Sequence, residues 1–76
     1  MLTRDEALAI ARGKKSKINY GEEYNNAYVF GYDSGERTVG GDSPIVVMKE
    51  TGETLNFIAY AVQDGNELIE EFNVND

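Results

Sequence analysis

Residues 27–32 read Ala27-Tyr28-Val29-Phe30-Gly31-Tyr32, and this stretch decides the fold. Aromatic and β-branched side chains alternate here with a period of two, which places Tyr28, Phe30 and Tyr32 on one face of a strand and Val29 on the other. Upstream, Ile18 to Tyr24 alternates less cleanly and leads into Asn25-Asn26, a pair that tolerates the positive φ of a hairpin turn. A weaker first strand is expected there. Downstream, residues 33–43 are polar and turn-forming, so a long exposed connection is expected before the next strand. That strand is the apolar run Pro44-Ile45-Val46-Val47-Met48, headed by a proline tolerable at a first strand position. Glu50-Thr51-Gly52 then supplies a turn, and Thr54 to Tyr60 returns as a further strand, with Leu55, Phe57 and Ala59 on one face and Asn56, Ile58 and Tyr60 on the other.

Before this region, Thr3-Arg4-Asp5-Glu6 has the Thr-x-x-Glu spacing of a capping box. Ala7, Leu8, Ile10 and Ala11 give an apolar stripe at three-to-four spacing, and Gly13 is placed to end the helix in a left-handed cap beside Lys14 and Lys15. The spacing predicts a helix over residues 4–13. After the strands, residues 64–72 fit a short helix, with Asp64 as cap and Leu68, Ile69 and Phe72 at helical spacing. They also fit a strand, but Glu70 would then point inward with Leu68 and Phe72, so helix is preferred. The expected fold is α+β: an N-terminal helix packed on a three- or four-stranded antiparallel meander, with a short C-terminal helix. On the sheet face away from the N-terminal helix, Val29, Val47, Ile58 and Tyr60 would form an apolar patch available to a partner or a second copy.

With 76 residues the chain has room for one core and is expected to form a single domain over residues 1–76. It has no cysteine and no histidine, so neither a disulfide nor the usual structural zinc site can staple it. A hydrophobic share of 41% with eight Tyr and Phe residues is enough for a packed core, which argues against disorder. Met1 to Glu6 lacks the layout of a signal peptide, and no apolar run approaches the roughly 20 residues of a membrane span. A cytoplasmic protein with no membrane contact is expected. The net charge of −7 is uneven: Arg4, Arg12, Lys14, Lys15 and Lys17 leave the first twenty residues positive, while the rest holds Arg37 and Lys49 against twelve acids. An acidic surface repels phosphate backbones and attracts basic partners, so a protein partner is expected and nucleic acid is not.

The residues that usually carry chemistry are missing. Without His or Cys, general acid–base and nucleophilic catalysis lose their commonest agents, and a carboxylate pair needs a cleft that so short a chain rarely provides. No enzymatic activity and no cofactor are expected. The oxygen-rich stretches Asp33-Ser34-Gly35-Glu36 and Asp42-Ser43 lack calcium-loop spacing, because Arg37 and Thr38 stand where ligands would be needed. No metal is expected. Gly31, Gly35, Gly40 and Gly41 precede no Lys-Ser or Lys-Thr pair, so they do not form a phosphate cradle. Lys14-Lys15-Ser16-Lys17 follows a helix C-terminus, where cations are stabilising, and lacks interleaved aromatics.

Three stretches together carry a family resemblance: Tyr28 to Tyr32; Val39-Gly40-Gly41-Asp42-Ser43-Pro44-Ile45-Val46-Val47; and Lys49-Glu50-Thr51-Gly52-Glu53. In this layout the chain resembles the immunity protein 35 family, small bacterial proteins similar in having an N-terminal helix, an aromatic strand, a glycine pair before a proline-headed strand and a Thr-Gly-Glu turn. PepSY-type domains and a stress-associated chaperone-like domain share part of that layout. The chain departs from the family pattern at Tyr28, where a Trp is frequent, and in its short final segment. The resemblance implies a non-enzymatic protein that binds and neutralises a cognate toxin. The alternatives are a chaperone-like interaction module and a mobile-element protein that blocks a host factor. No toxin-contacting residue is carried over from the family. Steering of a basic toxin selects instead the loop and turn acids Asp33, Glu36, Asp42, Glu50 and Glu53, with Tyr32 as an aromatic anchor. The protein itself is expected to be a monomer or a homodimer.

Overall fold

The computed structural model describes residues 1–32 and 44–74. Its elements run α1 (Arg4–Lys14), β1 (Tyr20–Tyr24), β2 (Ala27–Gly31), β3 (Ile45–Met48), β4 (Thr54–Asn56), α2 (Phe57–Ala61) and β5 (Leu68–Asn73). The class is α+β, and the described residues form five strands in the order β4-β3-β2-β1-β5, with every neighbouring pair antiparallel. The 33–43 connection expected from the sequence lies outside the described residues.

The capping box forms as its spacing dictates: the Glu6 amide donates to Thr3 Oγ1 at 3.2 Å, and the Thr3 amide donates to Glu6 Oε1 at 2.9 Å. The helix ends differently from expectation. Gly13 lies inside α1, and the cap is Lys15 in an extended conformation, its amide donating to Ala11 O. Among the described residues the left-handed glycines are instead Gly52, at φ 76° in the β3–β4 turn, and Gly65, at φ 84° before β5, and a side chain at either would be strained. Helix α1 seats on the sheet through Ala7 and Ala11, both fully buried; their small size lets the helix approach Tyr28, Phe30 and Val47. The Leu2 amide donates to Lys49 O at 2.8 Å and ties the start of the helix to the end of β3.

Strands β1 to β4 form a meander, with Tyr28 opposite Val47 and Val46 opposite Leu55. Strand β4 is shorter than the sequence pattern suggested. Asn56 accepts from the Ala59 amide at 2.7 Å and starts α2, so residues 57–61 are helical rather than extended. The antiparallel pairings make β5 parallel to β4 at the opposite edge of the sheet, so the chain must cross over one face between them. Helix α2 lies on that crossing and buries Tyr60 against Ala27, Val29 and Val46. The expected outer apolar patch is therefore not available: Val29 and Tyr60 are buried beneath this crossing, Val47 faces α1, and only Ile58 of the four is exposed.

Residues 64–72 are not a helix. The short second helix precedes the last strand, and β5 adds the fifth strand beside β1. Glu70 does point toward the α1 side, as a strand requires, but it sits at the sheet edge, where Arg4 meets it at 2.6 Å. That ion pair removes the objection to a strand. Arg4 also stacks 3.9 Å above the ring of Phe72, which packs edge-on against Phe30.

The crossover is fastened by three asparagines. The Asn25 amide donates to Glu67 O, and its side chain donates to Gly65 O and accepts from the Glu67 amide, each at 2.9 Å. Asn66 donates to Tyr60 O at 2.8 Å and accepts from Asn26 at 3.1 Å, and the Tyr60 hydroxyl donates to Asn26 Oδ1. The Asn25-Asn26 turn forms without a positive φ. The side chains serve instead to join the β1–β2 turn to the end of the crossover.

Candidate protein-binding surface

Strand β1 carries two adjacent glutamates that point to opposite faces, and the faces treat them differently. Glu23 lies on the α1 side, 2.8 Å from Lys49 Nζ and 3.3 Å from Arg4. Its hydrogen bond from Lys49 above all, with Arg4 adding to it, holds the carboxyl below the usual carboxylate range. Lys49 is itself buried and stands 5.0 Å from the ring of Tyr28, so its charge is fully engaged.

Glu22 faces the other way, toward the sheet surface that α2 covers only in part. Its direct cross-strand partner on β5 is Glu71, and on β2 it is the fully buried Val29. The Val74 amide donates to Asn19 O at 3.0 Å; counting along the ladder from that bond makes Glu22–Glu71 a non-hydrogen-bonded pair, the arrangement in which opposed side chains come closest. Among the described residues neither carboxylate has a basic partner. Burial, and then the charge of Glu71, push the Glu22 carboxyl above its ordinary value.

Tyr20 and Tyr24 flank Glu22 at the i−2 and i+2 positions of the same strand, so β1 presents a Tyr-Glu-Tyr stripe on this face. Gly31 stands opposite Tyr20, and a side chain at that position would overlap the phenol ring, so the glycine lets Tyr20 lie down across β2. Tyr24 meets Tyr60 edge-on at 5.4 Å. Burial, followed by the charges of Glu22 and Glu71, raises the Tyr24 hydroxyl above its ordinary value. Tyr20, Glu22, Glu71 and Asn73 line a shallow groove of about 460 Å³ at the β1–β5 edge. A guanidinium or ammonium entering beside Tyr24 would meet two carboxylates without a cation among the described residues, next to an aromatic ring.

A second groove, of about 700 Å³, lies toward the other edge between the end of α1 and strands β3 and β4, and Lys14, Lys15 and Lys17 line it. The bipolar charge seen in the sequence is thus spatial as well, with an acidic rim at β1–β5 and a basic rim beneath the helix C-terminus. Among the described residues no group of three or more His, Cys, Asp or Glu side chains is arranged to hold a metal ion, and no helix is long and apolar enough to cross a membrane.

Of the residues selected from the sequence, the three described ones are not gathered into one surface. Tyr32 is exposed at the end of β2, with Lys17 Nζ 5.7 Å from its ring. Glu50 and Glu53 are exposed in the β3–β4 turn, which the register places beside Asn26 at the other end of the sheet. Six residues of extended chain, about 20 Å, separate the two ends. Asp33, Glu36 and Asp42 lie outside the described residues. The stripe Tyr20-Glu22-Tyr24 has a plain period-two pattern in the sequence that a selection of loop and turn acids passes over, and its partner Glu71 joins it only through the β1–β5 pairing, which a helical reading of residues 64–72 conceals. No family model, no curated protein and no solved structure matches the chain.

Proposed function

We propose that this chain is a non-enzymatic binding module of the immunity type, which holds a basic toxin in the cytoplasm of the producing cell and neutralises it by covering its working surface. The observation that carries this reading is the Glu22–Glu71 pair, two opposed carboxylates without a cation among the described residues, between two tyrosines on a partly uncovered sheet face. Such an arrangement costs the free protein stability and is relieved by a lysine or arginine from outside. The net charge of −7 would speed the encounter by long-range attraction. The tagged protein, recovered from its native lysate, should bring down one stoichiometric basic protein, encoded beside it, whose toxicity it suppresses on co-expression. Recovery of many proteins in small amounts would favour the chaperone-like alternative, to which the exposed apolar side chains of Ile58, Val62, Leu68 and Ile69 could contribute. A stoichiometric partner belonging to the host and encoded elsewhere would favour the mobile-element alternative.

A further inference from the structure

Strand β5 ends the sheet, and among the described residues it pairs only with β1. The same ladder that makes Glu22–Glu71 a non-hydrogen-bonded pair turns the backbone N–H and C=O groups of Glu71 and Asn73 away from β1, toward the open edge. Residues Leu68 to Glu71 are exposed, and β5 contains no basic residue. A free edge of this kind is a template for another strand unless something blunts it. Here the register shift near Tyr24 and Leu68 interrupts one end of the strand and leaves residues 70–73 in regular pairing.

We propose, on the footing of the reading above, that the outer edge of β5 receives an extended basic segment of the protein partner as a sixth strand. The charge pattern selects this occupant over a second copy of the chain. In any register a second β5 would bring two more carboxylates and no cation to this acidic edge, and pairing centred on Glu71 would set that residue directly against its own equivalent, which is destabilising. A strand with alternating basic and apolar residues fits both faces. Its basic side chains fall beside Glu71 and Glu22, two carboxylates without a cation among the described residues, and its apolar ones fall on the α1 side beside half-buried Phe72. Backbone bonds to Glu71 and Asn73 supply affinity, and the acidic pair supplies selectivity.

The test uses a capped peptide of about seven alternating lysines and valines, titrated into the full chain while amide shifts and hydrogen exchange are followed by NMR. The peptide should protect the Glu71 and Asn73 amides, and a version with glutamate in place of lysine should not. Asn73→Pro removes an outward N–H with no loss from the β1–β5 ladder, so it should keep the thermal midpoint while weakening peptide binding about tenfold. Glu71→Lys, which leaves every backbone group in place, should weaken it at least as much. Equal binding by the wild type and both variants overturns the proposal, as do shifts confined to Ile58 and Val62, or a concentration-dependent dimer of the chain that protects the same amides. Failure here is distinct from failure of the immunity reading. A toxin neutralised equally well by Asn73→Pro retires the edge and keeps the reading, whereas a peptide bound at β5 with no toxin suppressed does the reverse.

Discussion

Glu22 and Glu23 are neighbours in the chain, yet the two faces of the sheet give them opposite environments. On the α1 face a lysine and an arginine converge on Glu23, and the charges close a network that also takes in Glu70. On the other face Glu22 meets Glu71 across the strand pair and no cation among the described residues. The lesson is that, among the described residues, one face of this sheet is electrostatically finished and the other is not. A carboxylate that the fold has satisfied belongs to stability, whereas one that the fold leaves in repulsion is the better candidate for binding.

Removing the satisfied partner should have the largest effect. Glu23→Ala leaves Lys49 buried with its charge uncompensated and should cost about 2 kcal/mol in urea denaturation, a large part of the stability of so small a domain. Tyr60→Phe removes the hydroxyl that donates to Asn26 and loosens the crossover that covers Val29; about 1.5 kcal/mol should be lost. Thr3→Ala takes away the acceptor for the Glu6 amide and should lower stability by about 1 kcal/mol, with the loss confined to the α1 side. The smallest change has the opposite sign. Glu71→Gln should raise stability by about 0.5 kcal/mol, because it ends a like-charge contact on a half-exposed surface. A loss of stability in that variant would break the contrast between the faces.

Acid titration sharpens the same contrast. The lowered Glu23 carboxyl contributes stability that is present above the ordinary carboxylate range and is lost as pH falls through its lowered value. The raised Glu22 carboxyl does the reverse: it binds its proton more readily in the folded state, so acidification into the ordinary range and slightly above it relieves a cost. Urea midpoints measured across that range should therefore separate the variants. Glu22→Gln should abolish the relief, and Glu23→Ala should flatten the loss at lower pH.

Much of the architecture was legible locally. Thr3 and Glu6 start α1, the alternation of Tyr28, Val29 and Phe30 makes β2, and Gly52 turns β3 into β4, each through interactions a few residues long. Two readings failed where the deciding partner was distant. Residues 57–61 alternate well enough for a strand, but Asn56 caps a helix there because the chain must cross the sheet to reach its far edge. Residues 68–73 became a strand because they pair with β1, and there Arg4, more than sixty positions away, donates to Glu70 at the edge. The candidate surface suffered from the same blindness. Its β1 half was visible as Tyr20, Glu22 and Tyr24, but Glu71 joins it only through the β1–β5 pairing.

The sequence by itself determined the class, the N-terminal helix, the aromatic core strand and the acidic balance, since these depend on composition, period and spacing within a few residues. The tertiary structure decided the placement of β5, the covering of Val29 by Tyr60, and which of two adjacent glutamates found cations. Those outcomes rest on strand register and on contacts between residues far apart in the chain, which no local pattern of side chains encodes.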